Sequence, residues 1–293
     1  MNSSLTDLLK VLNLEQIEVN LFRGDSRDLG SQRVFGGQVL GQALVAASST
    51  VEGRVVHSLH AYFLRGGDKT RPIIYDVDRS RDGKSFSTRR VVAVQHGEQI
   101  FHMSASFQVI EEGLSHQMTP PRVPDPDQLV DWAAWVDQNG PNAGFSKLAL
   151  LELPFELRFV DPERMFLSPQ PQEPRVNLWF KMTGRLPDDE NQHRCMLAYA
   201  SDLYLLGAAF LPHGRSIVVD DLQVASIDHA MWFHRPLRVD EWLLYSMDSP
   251  SSSGARGLAR GSIYTRDGVL VASTAQEGLM RYRPRREGRG PGA

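Results

Sequence analysis

The chain has 293 residues, 41% of them hydrophobic, and its 32 Lys and Arg against 35 Asp and Glu give a formal net charge of −3. This balance gives no electrostatic reason to expect nucleic acid or a membrane surface as a partner. One cysteine, Cys195, excludes an intramolecular disulfide framework, and no apolar stretch approaches the ~18 residues that a membrane span needs. We expect a soluble, cytoplasmic protein of about two domains.

The first part of the chain predicts helices followed by a meander of strands. Leucines at helical spacing predict a short amphipathic helix over 1–12, and a strand is expected at 15–22. Gly36 and Gly37 open a second helix that is rich in small residues and can therefore lie very close to a sheet. Four strands are then predicted, at 56–64, 72–80, 86–96 and 99–109. Glycine turns between them are typical of antiparallel hairpins.

The stretch that follows differs in composition. It is proline-rich and then contains a short helical segment at 128–138, which is stopped by Asn-Gly-Pro. We interpret 113–153 as a linker with some structure of its own. Trp132 and Trp135 are expected to pack against the sheets.

The last part of the chain repeats the order of the first. A strand at 177–183 and a helix at 190–206 precede four strands, predicted at 222–233, 241–249, 255–265 and 269–282. The string Leu-His-Ala-Tyr-Phe of the first copy matches Asp-His-Ala-Met-Trp-Phe of the second. A period this long indicates a duplicated module rather than a solenoid.

The repeat divides the chain into two modules. We predict an N-terminal module over 1–112 and a C-terminal module over 154–283, each an α+β unit of one long helix and an antiparallel sheet. The Arg-, Gly- and Pro-rich tail at 284–293 cannot bury apolar surface and is expected to be disordered.

Several common motifs are absent. The glycine turn at 83–85 lacks the spacing and context of a phosphate-binding loop, and neither a Gly-x-Ser-x-Gly nor a His-Glu-x-x-His string occurs. Two histidine pairs lie on predicted strands, His57 with His60 and His229 with His234. Strand residues three or five apart point to opposite faces, so we expect hydrogen-bonded histidines rather than ligands. No metal and no cofactor is predicted.

Six strings resemble the acyl-CoA thioesterase II family. They are 33–38, 57–64 and 81–86 in the first half, and 200–202, 226–234 and 273–278 in the second. The resemblance covers nearly the whole chain and implies a double hotdog fold, in which each long helix is wrapped by an antiparallel sheet. It also implies an acyl-CoA thioesterase.

The resemblance carries three catalytic residues onto this sequence: Asp202, Ser226 and Gln276. The bacterial pattern often has Thr at the position of Ser226, and both residues supply a hydroxyl. A carboxylate can accept a proton from water while the hydroxyl and amide orient that water toward a thioester carbonyl. Each residue alone would be an ordinary helix or strand residue; together they suggest a site. Covalent catalysis by Ser226 would need an adjacent base such as histidine, so direct water attack is favoured.

The first copy lacks this constellation. Ala105 aligns with Gln276, and no carboxylate occurs between Gly36 and Val51. We therefore expect one active site per chain, and we interpret His57 as structural.

The expected substrate is acyl-CoA, whose phosphates need basic side chains. Candidates on long strands are Arg89, Arg90, Arg256 and Arg260, for which solvated strand faces are at least an equal explanation. Because paired modules still have sheet edges, we expect a homo-oligomer, a dimer or tetramer. Two alternative functions stay open: a hotdog enoyl-CoA hydratase, and a non-catalytic acyl-CoA binding protein.

Overall fold

The computed structural model describes residues 3–30, 33–139, 153–168, 170–215 and 222–282. The first module contains helices α1 (Ser3–Leu12) and α2 (Gly36–Ser48) and strands β1 (Glu15–Glu18), β2 (Leu21–Gly24), β3 (Val55–Phe63), β4 (Ile73–Asp82), β5 (Phe86–Gln95) and β6 (Glu98–Gln108). The predicted tail at 284–293 and residues 140–152 of the predicted linker lie outside the described residues.

The second module repeats this arrangement with additions at its start. Its helices are α4 (Pro162–Phe166) and α5 (Glu190–Ser201), and its strands are β7 (Phe155–Phe159), β8 (Arg175–Met182), β9 (Leu222–Ser226), β10 (Asp228–Phe233), β11 (Leu243–Ser253), β12 (Arg256–Thr265) and β13 (Leu270–Tyr282). Between the modules lie a 3-10 turn, Pro126–Gln128, and helix α3 (Trp132–Asn139).

Four elements differ from the sequence-based expectations. The helix predicted at 128–138 is a 3-10 turn, Pro126–Gln128, followed by α3 from Trp132. The helix predicted at 190–206 ends at Ser201, and Tyr204, with a left-handed φ of 61°, turns the chain into a 3-10 segment. The strand predicted at 222–233 divides at Ile227, whose N–H donates to Glu277 while its carbonyl accepts from Phe63. The strand predicted at 15–22 is a two-strand hairpin.

One antiparallel sheet joins the two modules. The strand order is β1-β2-β4-β5-β6-β3-β10-β13-β12-β11-β8-β7, with β9 paired to β13 outside this path. The modules meet where β3 runs beside β10, with Leu59 opposite Met231. Because an edge strand of one module pairs directly with an edge strand of the other, each module places its long helix near the other.

The two long helices, α2 and α5, pack against each other. A Cβ on Gly37, near the start of α2, would lie 2.3 Å from the Tyr199 carbonyl oxygen near the end of α5. The small residues of α2 therefore permit a close approach to a second helix, as well as to the sheet. Most of the packed face of α2 is fully buried, including Leu40, Ala43 and Leu44.

The segment between the modules is attached to the second one. The Trp132 ring lies 4.9 Å from Phe159 and 4.7 Å from Phe166, and Trp135 is buried beside it. Both tryptophans thus pack in the second module, on a strand and a short helix.

One described segment, Glu190–His213, is long and apolar enough to cross a membrane by length and composition alone, contrary to the expectation above. It consists of α5 and the 3-10 turns that follow, and 89% of its most apolar window is buried inside the protein. A segment that is mostly enclosed by the rest of the protein is an ordinary part of the core.

Candidate active site

Asp202 is the residue at which α5 ends. The last turn of this helix is held from two sides, because Tyr245 Oη donates to the Ser201 carbonyl at 2.8 Å and the Ser201 hydroxyl lies 2.9 Å from His229 Nε2. Ser201 and His229 are fully buried. These contacts fix the backbone immediately before Asp202 and so determine where its carboxylate points.

The three side chains proposed from the sequence meet at one carboxylate oxygen. Ser226 Oγ donates to Asp202 Oδ1 at 3.1 Å, and Gln276 Nε2 donates to the same oxygen at 2.9 Å. Gln276 Nε2 also donates to Ser226 Oγ. Strand register explains the convergence: Ser226 pairs with Gly278, and Gln276, two residues earlier on β13, points to the same face.

The first module contributes the start of α2 to this site. The Gly37 N–H donates to the Asp202 carboxylate. A Cβ on Gly36 would lie 2.6 Å from Asp202 Oδ2, so only glycine leaves room for the carboxylate there. Phe35, which precedes the helix, provides no side-chain cap, and the open N-terminus favours a negative charge.

This contribution was missed by the sequence analysis, which placed the site in the second copy alone. A signal was present: Gly36 and Gly37 open a helix without a Ser, Thr, Asp or Asn before it. Such a helix leaves N–H groups for a partner from elsewhere in the chain.

The environment of Asp202 moves its acidity toward neutral pH. Burial raises the pKa of this carboxyl to about 6, while hydrogen bonds from Gln276, Ser226 and Gly37 oppose the shift. A carboxylate is the most effective general base when its pKa lies near the working pH. The site therefore contains a base that is ionised at neutral pH and still able to accept a proton.

His229 lies directly behind Gln276. Its Nδ1 is 3.1 Å from Gln276 Oε1, and burial lowers the pKa of His229 to about 4, which makes the imidazole neutral. His57 and His234 each contact one hydroxyl, at 2.8 Å from Ser106 and 2.9 Å from Ser273. His60, expected to be hydrogen-bonded, instead lies against the Trp232 ring. Within the described part of the chain, no group of three His, Cys, Asp or Glu side chains is arranged to hold a metal ion.

Three of the four arginines considered for CoA phosphates, all except the exposed Arg90, pair with a carboxylate of this chain. Arg89 is 1% exposed and its guanidinium donates to Asp82 at 2.7 Å, so it is not available on the surface. In the second module Arg256 pairs with Glu277 and Arg260 pairs with Asp248. The structure thus removes Arg89 from the candidates.

A pocket of about 310 Å³ lies at the opposite end of the α2–α5 pair, lined by residues that include Val45, Ser48, Asn191 and Cys195. A second, of about 230 Å³, is lined by residues that include Phe210 and Tyr282. Neither is lined by Asp202, Ser226 or Gln276, so an acyl pocket beside those three side chains stays a prediction.

Family models match both halves of the chain. An acyl-CoA thioesterase N-terminal domain matches residues 25–108, and an acyl-CoA thioesterase model matches residues 167–279. Acyl-coenzyme A thioesterase 8 of Rattus norvegicus is 45% identical over 287 residues, covering 94% of this chain and 89% of the relative. This chain belongs to the acyl-CoA thioesterase II family.

Solved structures agree with the family assignment. The acyl-CoA thioesterase II of Mycobacterium marinum is 46% identical, with a TM-score of 0.78, and the match covers 94% of this chain and 99% of that one. A hotdog-fold protein from Alicyclobacillus acidocaldarius, at 18% identity and a TM-score of 0.77 over 94% of this chain and 98% of that one, shows the same fold. The double hotdog α+β fold and the class of enzyme, a thioester hydrolase, are therefore confirmed.

Proposed function

We propose that this family member hydrolyses acyl-CoA to a free fatty acid and CoA by direct attack of a water molecule, which Asp202, Ser226 and Gln276 hold. The observation that carries the proposal is the convergence of Ser226 and Gln276 on one carboxylate oxygen of an aspartate whose pKa is raised to about 6. A base, a hydroxyl and an amide within hydrogen-bond distance of one another are what an oriented nucleophilic water requires.

In the proposed reaction the water oxygen bonds to the thioester carbon while Asp202 accepts one proton from that water. The carbonyl oxygen becomes an oxyanion, and the positive end of α2, opened by Gly36, stabilises that charge. Collapse of the tetrahedral intermediate breaks the carbon–sulfur bond. The thiolate of CoA leaves with its electron pair, and the proton on Asp202 returns to solvent or to the sulfur.

Direct water attack also fits the position of the histidine. His229 contacts the amide of Gln276 and the hydroxyl of Ser201, and no bond joins its imidazole to Ser226 Oγ among the described contacts. The Ser226 hydroxyl donates to a carboxylate instead. A serine nucleophile activated by histidine would need the imidazole at the hydroxyl itself.

A thiol-trapping assay with saturated acyl-CoAs of graded chain length tests the proposal. Asp202→Asn and Gln276→Ala should each reduce thiol release by about 100-fold or more, because a positioned base or donor contributes roughly 10²–10⁴-fold. Asp248→Asn is the matched control, since this aspartate pairs with Arg260 on the exposed sheet.

Three outcomes would contradict it. Full activity of Asp202→Asn would show that Asp202 is not the general base. Tight binding of acyl-CoA without thiol release would indicate a binding protein, and hydration of enoyl-CoA without thiol release would indicate a hydratase.

For assembly, we propose a homo-oligomer that uses the outer face of the β3–β10 junction. Tyr62 and Trp232 are 51% and 37% exposed there, and the His60 and Trp232 rings meet edge to face with their centroids 5.3 Å apart. Exposed aromatic side chains on both modules form a surface that a second copy could cover symmetrically. Light scattering should give a dimer or tetramer, and Tyr62→Ser with Trp232→Ser should shift it to monomer; a monomeric parent protein would contradict the proposal.

A further inference from the structure

The orientation of the Gln276 side chain is set from the side opposite to Asp202. Its Nε2 hydrogens are both used, one toward Asp202 Oδ1 and one toward Ser226 Oγ. An amide nitrogen carries only two hydrogens, so Nε2 has none left for a third partner. The other polar atom of the side chain, Oε1, can only accept, and it must do so from another group. That oxygen faces His229 Nδ1 at 3.1 Å.

The proton positions of His229 follow from these contacts. Gln276 Oε1 can only accept, so His229 Nδ1 carries the hydrogen and donates it. Nε2 is then an acceptor in the neutral ring, and the hydrogen of the Ser201 hydroxyl, which lies 2.9 Å from both Nε2 and the Ala198 carbonyl oxygen, points to Nε2 in this arrangement. Burial, which lowers the pKa of His229 to about 4, keeps this single neutral form over the working pH range.

The ring itself has little freedom to move. His229 and Ser201 are 0% exposed, and Ser201 is tied through its carbonyl to Tyr245 Oη, which also contacts Thr274 Oγ1 at 2.8 Å. The imidazole therefore sits on a buried polar network from three strands and one helix. Such networks are rigid when every member is satisfied.

We infer that His229 is a positioning residue of the hydrolase: its Nδ1–H holds the Gln276 amide in the orientation that directs Nε2 toward Asp202 and Ser226. The inference rests on the proposed function, because it assigns His229 a role only through Gln276. A reversed amide would place Oε1 against the Asp202 oxygen and Nε2 against the imidazole N–H, which is unfavourable at both ends.

Loss of the imidazole should affect turnover more than binding. In His229→Leu the Gln276 oxygen has no donor in a buried position, so the amide leaves its place beside the water. A misplacement of about 1 Å can cost roughly 100-fold in rate. We expect kcat to fall by about 30- to 100-fold with KM changed less than about threefold.

A conservative variant separates hydrogen bonding from packing. His229→Asn places an amide N–H near the position of Nδ1, and kcat should recover to within about fivefold of the parent protein. His193→Leu is the control: His193 is 1% exposed at the other end of α5, where its Nδ1 accepts from the Val239 N–H. It should lower stability and leave kcat within about twofold.

A double variant distinguishes this inference from the proposed function. If His229 acts through Gln276, His229→Leu should have almost no further effect on kcat in the Gln276→Ala background. An undiminished kcat in Gln276→Ala would overturn the proposed function. A lost kcat in Gln276→Ala with an unchanged kcat in His229→Leu, or losses that multiply in the double variant, would overturn only the role of His229.

Nitrogen NMR of the imidazole gives a second measurement, made on the parent protein, in which His229→Asn serves only to assign the resonances. The resonances that disappear in His229→Asn should show a neutral Nδ1–H tautomer from about pH 5 to 9. An Nε2–H tautomer, or a charged ring near pH 6, would overturn the inference, because Gln276 Oε1 would then lack its donor or Nε2 its role as acceptor.

Discussion

The two ends of the α2–α5 pair have the same architecture and different chemistry. At one end Asp202 follows the last residue of α5, and its carboxylate accepts from Gly37 at the uncapped start of α2. At the other end Ser49 follows the last residue of α2, and the start of α5 is capped by Asp189, whose carboxylate accepts from N–H groups in the first turn of α5. A pocket of about 310 Å³ lies at this second end.

The comparison supports the prediction that the first copy of the duplicated module keeps its structure without an active site. A helix N-terminus that carries its own aspartate cap has its first N–H groups occupied, so it offers little to a ligand or to a base from the other helix. Ala105, buried in β6 at the position equivalent to Gln276, removes the amide as well. Packing is preserved because Ala105 is small and buried, whereas Asp189 is exposed and contacts the first turn of its own helix.

The largest expected difference between the two copies is the loss of activity when Ser226 is replaced. Ser226→Ala removes the hydroxyl that donates to Asp202, and we expect kcat to fall by about 100-fold. Ser226→Thr keeps the hydroxyl and should stay within about tenfold. Ser106→Ala, which removes the hydroxyl beside His57 in the first module, is the control. Equal losses in Ser226→Ala and Ser106→Ala would mean that both copies carry function.

The pH dependence of hydrolysis tests the base. Asp202 acts only when ionised, and its pKa is raised to about 6, so kcat/KM should rise about tenfold per pH unit below pH 6 and level off above it. Because hydrogen bonds from Ser226 and Gln276 lower this pKa, Ser226→Ala should move the midpoint to higher pH. A profile that is flat between pH 4 and 7 would be incompatible with Asp202 as the base.

Close approach of the two helices predicts an effect on stability. In Gly37→Ala the new Cβ would lie 2.3 Å from a backbone oxygen, that of Tyr199, so the helices must separate. We expect the free energy of unfolding to fall by about 1–3 kcal/mol, measured by urea denaturation. Gly41→Ala, whose Cβ would have no contact shorter than 3.3 Å, should change it by less than about 1 kcal/mol. The reverse order would contradict the packing described.

A smaller gain in stability is expected when the base is neutralised. The folded pKa of Asp202, about 6, lies above its usual value of 3.8, so its ionisation destabilises the fold as pH rises through 6. Removing the buried charge stabilises the fold at pH 8, and loss of the hydrogen bond from Gly37 offsets about 1 kcal/mol of that gain. Asp202→Asn should therefore give a net rise of about 1–2 kcal/mol in the free energy of unfolding at pH 8. Below pH 4 the gain should vanish; a gain that persists there would show another cause.

The smallest effects are expected in the first copy. Ser58→Ala on β3 and Ser49→Ala at the end of α2 should each leave acyl-CoA hydrolysis within about twofold. Both hydroxyls lie outside the bonds that join Asp202, Ser226 and Gln276. Abolished thiol release in either folded variant would end the view that one copy alone carries the chemistry.

Several features of the fold could be predicted from local pattern. The hairpin strands β4 to β6 and β11 to β13 lie within about four residues of their predicted bounds, because apolar alternation and glycine turns are local signals. The break at Ile227 could not be predicted, since it depends on bonds to Glu277 and Phe63 on two neighbouring strands. The end of α5 at Ser201 likewise depends on partners in the sheet.

The sequence by itself determined that the chain is a duplicated α+β module and that its second copy carries an aspartate, a hydroxyl and an amide that the first copy lacks. Only the tertiary structure decided that this carboxylate lies on the open N-terminus of the other module's helix and that a buried imidazole supports the amide. The physical reason is that the two kinds of feature depend on interactions over different distances along the chain. Periodicity and turns act over a few residues, whereas the pKa of Asp202 and the orientation of Gln276 depend on groups that only the packing of α2 against α5 and the pairing of β10 with β13 bring together.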